Sequence, residues 1–369
     1  MAYAAGCVLL HGFPIAMTDC PDSAIPSRGL AKSILVLTLV LTLGLSASVA
    51  HAGKVLDGIK QRGELRCGVS TGVVGFSAPE SGSRWKGLDV DVCKAIAAAV
   101  LGKPEKVNYT PLNSQQRFAA LQSGQVDLLS RNTSWTLTRD ASLGFHFVAV
   151  TYFDGQGFLI PKKLKVTSAR QLKGAQVCVQ AGTTTEKNVA DYSRRYQLNL
   201  KPVVYETFEA AFKAFFSGRC QAYTTDVSGL ASVRNKEAPK PDDYLILPEL
   251  ISKEPLGPMI RRGDDEWLAV VRWTVYALLE AEELGLTQAN IDKRQTEADP
   301  AIQRFVGRGE DMGKLLGLDK DWALRAVKAV GNYGEVYERN VGQGSTLKLP
   351  RGQNRLWNQG GLMYPPPFR

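Results

Sequence analysis

The chain is poor in histidine: of three in 369 residues, only His146, in "LGFHFVAV", lies beyond residue 51. "GVSTG" at 68–72 matches the Gly-x-Ser-x-Gly elbow that exposes a nucleophile after a strand. A Ser-His-Asp system needs a histidine base beside that serine, and His146, among apolar residues, reads as a core side chain. No Cys-x-x-Cys pair occurs, and one histidine gives little support to a metal site. Gly-x-Gly-x-x-Gly and Walker-type phosphate loops are also missing. No metal and no cofactor are therefore expected. The charge of +9 is dispersed, without a basic run interleaved with aromatics or a helix-turn-helix signal, so a solvated surface is expected rather than a nucleic-acid partner. After Gly53 no apolar run approaches the ~20 residues of a membrane span.

What is present begins with an address. Arg28 and Lys32 precede "ILVLTLVLTLGL" at 34–45, and small residues then lead to "AHA" at 50–52. A basic region, an apolar core of about a dozen residues and a small-x-small site make a secretory signal peptide, with cleavage expected after Ala52. Residues 1–27 fit no signal pattern, and Met17 is another candidate start; "AAGC" at 4–7 mimics a lipoprotein box but follows no apolar segment. Four cysteines remain beyond the signal. Export permits disulfides. Cys67–Cys93 and Cys178–Cys220 are the expected pairs, each taken to lie within one βα unit; small buried thiols are the alternative.

From residue 64 strands and helices alternate: "ELRCGVS", then "LDVDVCKAIAAAVLG" with helical spacing and a terminal Gly102, "KVNYTPL", "NSQQRFAALQSG" with Asn113 as a cap, and "VDLLS". The rhythm restarts at "SARQLKGAQVCVQAG" and runs through "CQAYTTD" to the long amphipathic "EWLAVVRWTVYALLEAEELG". Such alternation predicts mostly parallel sheets flanked by helices, here in two similar lobes. "GKLLGLDKDWALRAVKAVG" reads as helix, and the Gly-, Asn-, Pro- and aromatic-rich remainder as an irregular tail packed over a lobe.

Two stretches carry candidate chemistry. "RNTSWTLTR" at 131–139 follows a buried strand, and ligands of open α/β sheets sit beyond such carboxyl ends. Arg139 offers a planar fork for a carboxylate, with Ser134 and Asn132 beside it. The alternative is a plain helix cap with Arg139 paired to a surface acid. "VCVQAGTTTEKN" places Thr183 and Thr184 at a helix start, where free N–H groups and the dipole favour an anion; an ordinary N-cap with Glu186 in the first turn is the alternative. Asp226 ends a third strand and suits an ammonium group. Together these groups complement an α-amino acid zwitterion.

Across about residues 55–369 the chain resembles the periplasmic amino-acid-binding proteins of ABC uptake systems, the type II two-lobe class, and among them the general L-amino-acid binders of the Aap/Bzt group. The resemblance rests on "GLDVDVCKAIAAAVLG", "QAGTTTE", "YTTDVSGL", "ISKEPLGP", "YALLEAEELGLTQANID", "VGNYGEVYERNVG" and "LWNQGGLMYPPP". It implies that Arg139 grips the α-carboxylate, Ser134 and Asn132 supply first-lobe contacts, Thr183 and Thr184 second-lobe contacts, and Asp226 takes the α-ammonium. Phe76 falls near the family's covering aromatic, although "STGVVGFSAPE" departs from its pattern. Arg131, where relatives often have a small residue, is expected to shape the side-chain pocket. The implied organisation is an N-terminal extension and signal peptide (1–52), lobe I in two parts (53–155 and 259–300), lobe II (156–258) and a C-terminal extension packed on the lobes (301–369). The implied function is capture of L-amino acids in the periplasm, by a monomer, for delivery to an inner-membrane permease and its cytoplasmic ATPase, without bond chemistry. A dehydratase-like enzyme on the same fold, or a sensory binding protein, is the rival.

Overall fold

The computed structural model describes residues 54–81 and 84–369. The signal peptide and its cleavage point therefore lie outside the described residues.

Two five-stranded sheets organise the chain. In the first, neighbouring strands run Val107–Pro111, Leu65–Val69, Leu128–Leu129, Met259–Arg261 and Phe145–Phe147. In the second the order is Lys201–Tyr205, Gln176–Gln180, Ala222–Asp226, Gln156–Pro161 and Tyr244–Ile246. The sheets are mixed rather than mostly parallel. The βα units pair in parallel, whereas Met259–Arg261 and Gln156–Pro161, which enter after the chain has passed from one sheet to the other, pair antiparallel. The two passages themselves pair as short strands, Tyr152–Asp154 with Glu254–Leu256.

Side-chain alternation builds a core on each face of the second sheet. Phe158 and Ile160 pack with Val177, Val189 and Ala222 on one side, while Leu159 packs with Phe212, Phe215 and Tyr223 on the other. The main core of the first sheet gathers residues from Leu56 to Phe368, so residues 302–368 are built into it rather than laid over it. There helix Trp322–Val330 lies along helix Leu88–Leu101. The stretch expected as one helix from Gly313 breaks at Gly317, which takes φ +63° after a short 3-10 turn, and helix resumes at Trp322. The expected irregular tail contains helix Tyr333–Asn340, set by a capping box between Asn332 and Glu335. Cys67 is bonded to Cys93, joining strand to helix, and Cys178 to Cys220. The second pair encloses two βα units, not one.

Candidate functional site

Asn132 has φ +30°, a region that asparagine visits more readily than most residues. Its N–H donates to Asp89 Oδ2 (2.8 Å), and Ser130 Oγ is 3.4 Å from Asp89 Oδ1. The first turn of helix Leu88–Leu101 thus holds the loop that ends strand Leu128–Leu129. Burial raises the Asp89 pKa to about 7, against the hydrogen bonds that favour its charge. Beyond the loop, Thr136 caps helix Leu137–Ser142, and Arg139 Nη1 donates to Ser134 O (3.0 Å). The Asn113 side chain accepts from the N–H groups of Gln115 and Gln116, capping the turn that leads into helix Gln116–Ser123.

Arg139 lines a cleft between the two sheets, of about 550 Å³ when the space open to solvent is counted. Two more guanidinium groups share it. Arg131 donates to Leu112 O (2.8 Å) and Ser114 Oγ (3.2 Å). Arg117 donates to Thr133 Oγ1 (3.3 Å) and, from the other side of the cleft, to Gly182 O (3.4 Å), while its buried Nε has no protein partner. Burial lowers all three pKa values, that of Arg131 to about 10, yet a guanidinium keeps its proton at neutral pH. Asn132 Oδ1 is likewise buried without a partner.

On the second side, Gly182 turns at φ +72° and Thr183 begins helix Thr184–Arg195. The Thr183 hydroxyl is fully used: it accepts from Glu186 N–H and donates to Gln180 O. Thr184 Oγ1 donates to Glu254 Oε2 (2.9 Å) and lies 3.4 Å from Ser134 Oγ across the cleft. Glu254 also accepts from Asn188 (2.8 Å) and Ser252 (2.6 Å). The N–H groups of Thr184 and Thr185 have no acceptor among the described residues, so this helix start still offers donors to an anion.

Asp226 ends strand Ala222–Asp226 and faces the same cleft, 7 % exposed and without a side-chain hydrogen bond among the described residues. Its pKa is raised by burial first and then by the nearby Asp154 and Glu254 carboxylates, with Arg139 and Arg117 opposing. Asp154 is itself raised to about 6, chiefly by burial, although Ser228 and the Gly155 N–H bond to it. The cleft thus combines arginines, free N–H donors and a buried acid lacking a cation.

Of the residues read from the sequence, Arg131, Asn132, Ser134, Arg139, Thr183, Thr184 and Asp226 line this one cleft. Phe76 does not. Its carbonyl accepts from Asp89 N–H (3.0 Å), which folds the loop back on the helix start, and its ring is buried against Tyr152. Ser70, Thr71 and Val73 line the cleft from that loop instead. His146 is half-buried on an edge strand, outside the cleft lining. Sequence reasoning passed over Arg117, Asp89 and Glu254. Arg117 was visible as a cation on the inward face of "RFAAL", and Glu254 as an acid within the Pro- and Gly-rich crossing "KEPLGP".

Two α/β halves facing one another across a polar, charge-complementary cleft define a two-lobe solute-binding protein of the type II periplasmic class. The chain belongs to the bacterial extracellular solute-binding proteins, family 3, whose model matches residues 65–342. It is 54% identical to the general L-amino acid-binding periplasmic protein AapJ of Rhizobium johnstonii, over 89% of this chain and 96% of that one. It is 51% identical to the glutamate/glutamine/aspartate/asparagine-binding protein BztA of Rhodobacter capsulatus, over 89% and 98%. Among solved structures it is similar to an ABC transporter periplasmic binding protein from Brucella ovis with glutathione bound: TM-score 0.84, 53% identity, 86% of this chain and all of that one.

Proposed function

We propose that this protein captures L-amino acids in the periplasm and presents them to the permease of an ABC importer, acting as a monomer and making or breaking no bond. One observation carries the reading: Asp226, buried and without a partner cation, shares its cleft with the Arg139 guanidinium. The α-ammonium would complete Asp226. The α-carboxylate would take Arg139 together with the free N–H groups after Thr183. Ser134 and Asn132 would hold the ligand from the first lobe, and Thr184, fixed by Glu254, would steady the helix start of the second. Arg131 would face the ligand's side chain and favour acidic or amide groups.

In this reading the lobes are 53–155 with 259–300, and 156–258, bending at the crossings 152–156 and 254–259, with 301–369 serving the first lobe. Arg117 links the lobes only while they are closed, and a ligand shifts that equilibrium through contacts made in the closed form alone.

The test is a calorimetric screen of the protein lacking residues 1–52 against the twenty amino acids, followed by mass analysis of the recovered ligand. Binding of several, each recovered unchanged, is the expected result. Absence of binding, or a converted ligand, would overturn the reading. A second ligand is favoured by the Brucella ovis relative: glutathione carries the same free head group on its γ-glutamyl residue, and the cleft would take it by that end.

A further inference from the structure

The cleft continues outward. Thr71 and Phe208 also line a second compartment of about 1120 Å³, open to solvent and walled by residues of both halves. With the Phe76 ring turned into the core, the loop at residues 70–73 puts only a threonine at this junction. The outer walls are mixed: Pro79, Phe212 and Val233 are apolar, whereas Asn113, Gln116 and Ser232 are polar. Asn113 and Gln116 use their side-chain oxygens within the turn, and their amide nitrogens have no acceptor among the described residues. Lys236, Glu237 and Glu209 are the charged groups facing the space. Glu209 is paired with Lys213, and Lys236 lies 3.6 Å from Glu237, so the compartment carries no strong charge of either sign.

Free amino acids have no use for this space. A zwitterionic head clamped inside, a neck flanked by Thr71 and Phe208, and beyond it a chamber of mixed polarity with free amide donors suit an amino acid whose side chain is prolonged by amides. We infer that the outer compartment is a subsite for the extension of γ-glutamyl peptides. Asn113 and Gln116 donate to the amide carbonyls, and Lys236 turns from Glu237 to a terminal carboxylate. The inference rests on the amino-acid reading of the inner cleft. It also predicts a linkage rule. An α-linked peptide of the same composition no longer has its free ammonium and carboxylate on one carbon, and it is refused.

The test uses the protein lacking residues 1–52 and titrations with glutamate, S-methylglutathione and the α-linked isomer of that tripeptide. S-methylglutathione is expected to bind in competition with glutamate, and the α-linked isomer to fail. Gln116→Trp, at an exposed position on the outer wall, should weaken S-methylglutathione by about tenfold or more and leave glutamate affinity unchanged, since a filled subsite rejects only what must enter it. Lys236→Glu should give a smaller loss with the same selectivity. Glutamate binding without S-methylglutathione binding, or equal effects of Gln116→Trp on both ligands, would overturn the subsite and leave the amino-acid reading intact. Failure of every ligand, glutamate and the other amino acids included, would overturn both.

Discussion

Asp226 illustrates how burial alone can mark a ligand group. A carboxylate removed from water without a hydrogen bond carries a desolvation cost that nearby Asp154 and Glu254 make worse. A bound ammonium offsets that cost. Asp226→Asn should therefore weaken amino acids far more than their deaminated analogues, whereas Arg139→Ala should weaken every ligand by about 2–5 kcal/mol, as expected for loss of a desolvated charge pair. Calorimetry on both variants separates the two ends of the ligand, and equal losses for deaminated analogues in Asp226→Asn would contradict the assignment. Arg139, Asp226 and the hydroxyl-rich segments were legible in the sequence because polar residues clustered at strand ends. Arg117 and Glu254 left only a faint signal and Asp89 none of its own, because each becomes meaningful only when another part of the chain meets it. Phe76 failed for a related reason: its orientation depends on a bond to Asp89, 13 positions on.

At the scale of elements, local rules carried most of the prediction. Helix Leu88–Leu101 ends at Gly102 with its φ at +67°, as the sequence suggested. The βα alternation located the parallel strands, but Gln156–Pro161 and Met259–Arg261, which enter their sheets from the other half and pair antiparallel, lie outside that rhythm. The C-terminal helix Tyr333–Asn340 was hidden by composition, since Gly and Asn flank it, yet its Asn332 and Glu335 form a reciprocal cap. Asn332 Nδ2 also donates to Leu286 O (2.8 Å). Asn332→Ala should cost about 1–2 kcal/mol for the lost cap, read as a lower midpoint in denaturant unfolding. Amino-acid affinity in the folded protein should stay unchanged, because this helix lies outside the cleft lining.

For the molecule as a whole, buried acids set a pH dependence. Folding raises Asp89 to about 7, Asp154 to about 6 and the half-buried Glu280 to about 7, in each case chiefly by burial. Unfolded carboxylates titrate near ~4, so the native state holds these protons more tightly. Their contribution to stability is complete in acid and is lost as the pH rises through 6 to 7. The unliganded protein should accordingly show a falling melting temperature between pH 5 and 8. Ligand should flatten that slope where an ammonium occupies the place of the proton near Asp226. A rising or flat profile for the empty protein would contradict the assignment.

The placement of Phe368 has a consequence for how the molecule comes into being. Its ring packs against Trp273, Phe305 and Trp322, in the same core as Leu56, some 300 positions earlier. Contacts so distant along the chain close slowly. The second sheet, drawn from residues 156–246 alone, can assemble while the rest is still being synthesised. The first cannot complete its core until the residues around Phe368 join it.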